Sequence, residues 1–235
     1  MATTPRARAR AQTMEDITRI GRQHLAQYGA AALSLRAVAR DLGVVSSAVY
    51  RYVKSRDDLL TLLVVDGYDE MADAVASALR QPAVAGGSHR DRFLTLGRAV
   101  RAWALAEPAT YALLYGAPVP GYQAPAERTT GPGTRVARML LEIAAAALAD
   151  GSLAVREPAA PVPPTLVAGF DDVREQFGID VPDEVLAVGV LAWAGMFGCI
   201  SFEVFGQYGP GAFGDPAALF EHHLATLAAD LGLSG

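Results

Sequence analysis

The sequence predicts an all-α protein, from its composition and from the spacing of its apolar residues. Of the 235 residues, 51% are hydrophobic and 19% are charged, so the chain has enough apolar surface to fold around a core. Aromatic residues make up only 8%, and alanine and leucine, both strong helix formers, are abundant. Apolar residues recur every three or four positions between glycine and proline stops, which is the period of a helix buried on one face.

The first sixty residues predict a basic arm followed by three helices. Residues 1–12 are small and basic without an apolar period, which indicates a flexible arm. Ser34 is the expected cap of the second helix and Gly43 its stop. We predict the three helices over residues 13–28, 35–42 and 46–52.

The remainder of the chain predicts a larger helical body. Four prolines interrupt residues 116–132, which we predict to be a loop, and a second proline-rich stretch covers residues 158–164. Nine or ten helices are expected in all, those of the body over residues 57–79, 91–107, 108–115, 134–150, 165–177, 183–208 and 216–231.

The charges divide the chain into a basic head and an acidic body. Residues 1–60 carry ten Lys and Arg against five Asp and Glu, whereas the other 175 residues carry ten bases against twenty acids. A basic head favours a polyanion such as DNA as its partner, because phosphate contacts supply the sequence-independent part of DNA affinity.

Several classes of function are disfavoured by what the sequence lacks. No stretch reaches the ~18 consecutive apolar residues that span a bilayer, so we expect a cytoplasmic protein without membrane contact. The single cysteine, Cys199, is expected in the core. There is no nucleophile elbow, phosphate loop or metal-ligand spacing, and the adjacent His222 and His223 point to different helix faces, so no enzyme, cofactor or metal is expected.

The strongest local signal is Ala39-Arg-Asp-Leu-Gly43 with apolar flanks at Val38, Val44 and Val49. A helix-turn-helix needs a small residue where its helices cross, a glycine at the turn and an apolar seam between them. This spacing alone leaves an ordinary helical hairpin open as the alternative.

Residues 17–60 resemble the N-terminal domain of the tetracycline-repressor (TetR) family. Three positions depart from the family pattern: Leu33 replaces a frequent Thr, Val45 replaces the Ser that usually caps the third helix, and Val53 replaces a Phe. Ser46 is left to cap that helix. The positions in register are Gly29, Ser34-Leu35-Arg36, Val38-Ala39, Leu42-Gly43-Val44, Val49-Tyr50, Tyr52 and Asp58-Leu59-Leu60.

The resemblance implies that the third helix enters the major groove of double-stranded operator DNA. Its base-reading candidates are Ser46, Ser47, Ala48 and Arg51. One or both of Tyr50 and Tyr52 would bond a phosphate, the alternative being that Tyr50 packs into the core. Phosphate contacts are expected also from Ser34, Arg36 and Lys54.

The resemblance further implies a homodimer that reads a palindrome with recognition helices ~34 Å or a multiple apart, and release by an unknown small-molecule ligand. The expected organisation is an arm (1–12), a DNA-binding domain (13–60) and a ligand-binding and dimerisation domain (61–235), with residues 183–208 and 216–231 at the dimer interface. Ligand-dependent activation, or a helical binding protein without DNA binding, are the alternatives. Aromatic and sulfur side chains that would line a pocket, or else fill the core, are Trp103, Tyr111, Tyr115, Met139 and Trp193.

Overall fold

The all-α prediction is confirmed. A computed structural model describes residues 4–154 and 160–233, in which the only bridge between extended segments pairs Leu153 with Leu233. Short 3₁₀ turns cover Ala30–Ala32 and Pro164–Leu166. The α-helices of the described residues are α1 (Pro5–Tyr28), α2 (Leu35–Asp41), α3 (Ser46–Tyr50), α4 (Arg56–Leu79), α5 (Pro82–Ala85), α6 (His89–Ala106), α7 (Pro108–Tyr115), α8 (Ala126–Gly133), α9 (Arg135–Ala149), α10 (Val167–Phe177), α11 (Asp183–Val204) and α12 (Pro216–Asp230).

The chain forms two compact units. The N-terminal unit contains the chain up to Glu70 together with Ala106–Gly133, and the C-terminal unit contains Met71–Leu105 and the chain from Thr134. The first unit therefore includes α7 and α8 as well as the predicted helix-turn-helix. Its buried core comes from α1 to α4, and it includes the fully buried side chains of Ile17, Val38, Leu59 and Leu60.

The predicted arm is helical where the structure describes it. α1 begins at Pro5, eight residues before the predicted start, and residues 1–3 lie outside the described part. The Thr4 hydroxyl accepts a hydrogen bond from the Ala7 amide at 3.2 Å, and proline suits the first helical position. Alternating Ala and Arg then favour a helix by propensity, which an apolar period cannot reveal.

A tight turn joins α2 to α3. Gly43 has φ of 70°, and its amide bonds the Arg40 carbonyl while the Val44 amide bonds the Ala39 carbonyl. This is the glycine-dependent helix end that the sequence predicts. The cap of α3 is Val45, without a side-chain hydrogen bond, so the expectation that Ser46 caps this helix is wrong.

The loop predicted over residues 116–132 contains a helix, α8. The Pro125 carbonyl accepts hydrogen bonds from the Arg128 and Thr129 amides and so starts this helix. Pro132 falls near its end, where a missing amide costs at most one hydrogen bond. This helix and the four-residue α5 bring the number above the nine or ten expected.

Close approaches hold the helices of the C-terminal unit together. A Cβ on Gly97 of α6 would lie 2.5 Å from Leu224 of α12, and one on Gly195 of α11 would lie 3.0 Å from Leu227. Glu203 of α11 receives two hydrogen bonds from Arg101 of α6, at 2.6 and 2.7 Å. These contacts fix α11 and α12 against α6.

α11 is long and apolar enough to cross a membrane by length and composition, and 39% of its most apolar window is buried. Residues 185–202 contain no charged side chain, and only glycine and serine interrupt their apolar run. The core helix of a soluble protein passes the same test. Much of this apolar helix is therefore exposed on the surface of the chain.

Candidate functional site

The third helix presents a continuous exposed surface. Val49 is buried between α2 and α3, and this orientation leaves Ser47, Tyr50 and Arg51 exposed. Ser46 is half-buried at the start of the helix. Hydroxyl and guanidinium groups on one exposed face can hydrogen-bond base edges and phosphates.

Ala48 and Tyr52 lie less openly than their neighbours. Both are half-buried and line a recess beside Thr13 and Asp16 of α1. Tyr50, in contrast, is 43% exposed, so its ring is not enclosed by the core as the alternative interpretation required. Of the two tyrosines, Tyr50 is the one placed to reach an external partner.

The remaining predicted phosphate contacts flank this helix in sequence. Ser34 is the residue before α2, half-buried and without a side-chain capping bond, and Arg36 is exposed on the first turn. Lys54 is exposed, and its backbone amide donates to Asp58 at 3.1 Å. The Ser55 hydroxyl accepts from the Asp58 amide, which caps α4 directly after Lys54.

Two exposed apolar residues were missed by sequence reasoning. Val45 is 71% exposed and Val44 is 44% exposed, at the turn that leads into α3. Val44 was expected in the seam between the helices. The signal in the sequence was a valine at the cap of α3, because a valine side chain cannot form the hydrogen bond that a capping residue usually makes. An exposed valine can contact an apolar group such as a thymine methyl.

A buried histidine fixes the end of α2. His24 of α1 is 6% exposed, and its Nε2 lies 2.7 Å from an Asp41 carboxylate oxygen. The hydrogen bonds from His24 and Arg40 lower the pKa of Asp41. Asp41 is therefore a carboxylate at neutral pH. Its contact with His24 fixes the last residue of α2, directly before the Leu42-Gly43 turn.

A second polar link joins α1 to α4. Arg22 forms ion pairs with Glu70 and, at 3.4 Å, with Asp66. The hydrogen bond to Glu70 raises the pKa of Arg22, whereas burial raises the pKa of Asp66 against the effect of Arg22. These residues adjoin an open groove that also contains Glu107 of α7. The link positions α1 in the unit that carries α3.

The predicted pocket residues fall in different units. Tyr111 is fully buried in the N-terminal unit, with Tyr115 beside it at 5.1 Å between ring centres, and burial raises the pKa of Tyr115. Trp103, Met139 and Trp193 belong to the C-terminal unit, where Trp103 is buried and the other two are half-buried.

One of the predicted residues, Trp193, lines a small cavity between α9, α10 and α11. The cavity has a volume of about 120 Å³ and its ring of side chains is apolar. Gly189 lies in its wall, and the Trp193 ring contacts Phe197 at 4.2 Å between centres. Its other lining residues include Ala137, Leu140, Leu141, Val173 and Phe177.

No set of three metal-ligating side chains occurs within the described residues. His223 lies 3.4 Å from the sulfur of Cys199, and the two histidine rings of residues 222 and 223 are 6.1 Å apart. Cys199 is half-buried, and burial raises its pKa, so the thiol is protonated at neutral pH.

Comparison with known proteins adds to this geometry. Residues 13–63 match the family model described as bacterial regulatory proteins, tetR family, and residues 93–227 match the tetracyclin repressor-like C-terminal domain. The HTH-type transcriptional regulators Rv1816 of Mycobacterium tuberculosis and Mb1846 of Mycobacterium bovis are each 48% identical over 223 residues, covering 95% of this chain and 94% of each relative.

Solved structures give the same fold. The regulatory protein SCO4313 aligns with a TM-score of 0.76 and 32% identity, covering 96% of this chain and 100% of that one. A Rhodococcus sp. RHA1 protein of unknown function aligns with a TM-score of 0.64 over 92% of this chain and 95% of its own, and at 22% identity that likeness concerns the fold alone.

Proposed function

Because this chain belongs to the TetR family of helix-turn-helix transcriptional regulators and is not an enzyme, we propose that it is a cytoplasmic repressor that binds palindromic operator DNA as a homodimer. The observation that carries the proposal is the exposed face of α3, on which Ser47, Tyr50 and Arg51 stand free of the core. Residues 13–60 form the DNA-binding domain in this proposal, and residues 61–235 bind the effector and the partner subunit.

In this proposal α3 lies in the major groove. Arg51 bonds a guanine or a phosphate, Ser46 and Ser47 approach base edges, and Ala48 or Val45 contacts a thymine methyl. Tyr50 donates to a phosphate, and Ser34, Arg36 and Lys54 bind phosphates at either side of the groove. The basic head with ten Lys and Arg supplies the electrostatic part of the affinity.

Replacing Arg51 with Gln and Tyr50 with Phe tests this assignment. We expect each change to weaken operator binding tenfold or more, because a good contact of Arg51 to a base is worth about 1–3 kcal/mol, a hydrogen bond of Tyr50 to a charged phosphate about 1.5–3 kcal/mol, and either is lost in both subunits. Fluorescence anisotropy with the intergenic DNA upstream of the gene, against scrambled DNA, measures it. Arg80→Gln, an exposed arginine of the C-terminal unit, is the matched control. Unchanged affinity in both α3 variants contradicts the assignment.

The homodimer is proposed from the exposed apolar side of α11. Leu191 is 61% exposed, Phe202 46% and Phe205 37%, and with Ala194 and Gly198 they form one stripe at helical spacing. A Cβ on Gly198 would meet nothing within 4 Å, which leaves room for a partner helix. Gly189 and Gly195 of the same helix, in contrast, face Leu141 and Leu227 of the same chain.

We place the effector in the cavity beside Trp193. An apolar cavity of about 150 Å³ stays dry and takes up benzene or xenon, so a cavity of this kind suits a small apolar molecule. A molecule bound there would contact α11, the helix proposed for the dimer. Differential affinity for two dimer geometries would then change operator affinity and release the DNA.

The effector site can be tested with bromobenzene as the probe. Trp103→Phe leaves Trp193 as the only tryptophan of the two. We expect saturable quenching of Trp193 fluorescence, because the bromine is held against the ring. Ala137→Leu fills the cavity and should abolish saturation, whereas Ala149→Leu, exposed at the end of the same helix, should not. Linear quenching that is equal in all variants would exclude the cavity as a binding site.

A further inference from the structure

A groove runs between the start of α1 and the end of α3. It is lined by Arg6 and Arg10 of α1 and by Arg51 and Tyr52 at the end of α3, and it encloses about 420 Å³. The Arg10 guanidinium carbon lies 5.5 Å from the centre of the Tyr52 ring, so a cation-π contact holds the extension of α1 against the recognition helix. The groove depends on residues 5–12 being helical.

The groove concentrates positive charge that the described residues leave unneutralised. No carboxylate lines it, and the first acidic residue of the chain is Glu15. Several other arginines of this unit are paired, such as Arg22 with Glu70 and Arg40 with Asp41. Arg6, Arg10 and Arg51 form no ion pair within the described part of the chain, and guanidinium groups brought together this way bind anions.

We propose that this three-arginine groove binds the phosphodiester backbone of DNA next to the bases that α3 reads. The inference rests on the proposed function and adds a second contact element to it. The occupant is taken to be DNA because the groove is open, extends along the first two turns of α1, and is continuous through Arg51 with the exposed face of α3. Tyr52 then acts as a positioning residue for Arg10.

The salt dependence of DNA binding by the full-length protein tests the groove. Each phosphate contact contributes about 0.9 to the slope of log Kobs against log salt, so Arg6→Gln/Arg10→Gln should flatten the slope by about 1.8 for each bound subunit, or about 3.6 for the dimer. At 50 mM salt this dimeric variant should bind about 150-fold more weakly relative to wild type than it does at 200 mM. The loss should be equal for operator and scrambled duplexes, because backbone contacts carry no sequence information.

Arg8→Gln is the matched control. It removes one positive charge from the same exposed segment, half the number that the double variant removes, but Arg8 does not line the groove, so its slope should change by clearly less than half as much as that of the double variant. Equal slopes for wild type and the double variant, or equal effects of Arg8→Gln and the double variant, would overturn the inference. Loss of inorganic phosphate binding in the double variant with an unchanged salt slope for DNA would also overturn the inference, because it would show that the groove binds a small anion instead.

The outcome separates this inference from the proposed function. Equal binding of scrambled and upstream duplexes by the wild-type protein would contradict an operator in the upstream DNA. The difference in salt dependence between wild type and the double variant would still show whether the groove binds the DNA backbone. Conversely, specific operator binding by the double variant with an unchanged salt slope would support the proposed regulator and exclude the groove as a DNA contact.

Discussion

Replacing Leu191 and Phe202 with Glu is expected to convert the protein from a dimer to a monomer. Both side chains stand on the exposed stripe of α11, and in an isologous interface each substitution occurs twice. A buried apolar anchor is typically worth at least about 2 kcal/mol, so each change should raise the dimer dissociation constant about 30-fold or more. Analytical ultracentrifugation measures the change directly.

The matched control for this prediction is Leu105→Glu. Leu105 of α6 is 42% exposed, similar to Phe202, but lies outside the stripe. It should leave the oligomeric state unchanged. The α11 variants should also lose operator affinity, because a monomer occupies one half-site, while their binding to a single half-site duplex should persist. A variant that stays dimeric, or a wild type that is monomeric at micromolar concentration, would assign the stripe to another partner.

The helix-turn-helix was predictable because local rules determine it. Gly43 must adopt a left-handed conformation, and Val38 and Val49 must meet in a seam, so the spacing indicated two helices joined by a tight turn, and the resemblance to the TetR family indicated a helix-turn-helix. The extension of α1 was not predictable from periodicity, because residues 5–12 form a helix by capping and propensity without burying an apolar face.

The pocket was harder to predict for a different reason. Aromatic side chains at helical spacing are compatible with both a core and a cavity, and tertiary packing decides between them. Tyr111 is fully buried, whereas Trp193 lines a cavity whose other walls come from α9 and α10. The environments of the glycines on α11 could not be predicted for the same reason. Gly195 and Gly198 are one turn apart, but only at Gly195 would an added Cβ contact another helix of the same chain.

The contact between α6 and α12 is so close at Gly97 that a larger side chain there should strongly destabilise the fold. Gly97→Val should destabilise the C-terminal unit by about 3 kcal/mol, the upper part of the range for overpacking a close-packed core. A Cβ there would lie 2.5 Å from one terminal carbon of Leu224 and 2.8 Å from the other, and Leu224 is 0% exposed, so it has no free space to enter. Urea unfolding, followed by circular dichroism, measures the loss.

A double-mutant cycle shows whether the clash is the cause. Leu224→Ala alone should cost about 2–5 kcal/mol by leaving a cavity. Combined with Gly97→Val it should cost less than the sum, because the valine occupies the space that leucine vacates, giving a coupling energy of about 0.5–3 kcal/mol. Gly169→Ala on α10 is the control: a Cβ there meets nothing within 4 Å, and alanine should stabilise the helix by about 1 kcal/mol. Additive losses at residues 97 and 224 would mean that the valine is rejected by the backbone of α6 rather than by α12, and that the packing of these two helices is looser than the distances imply.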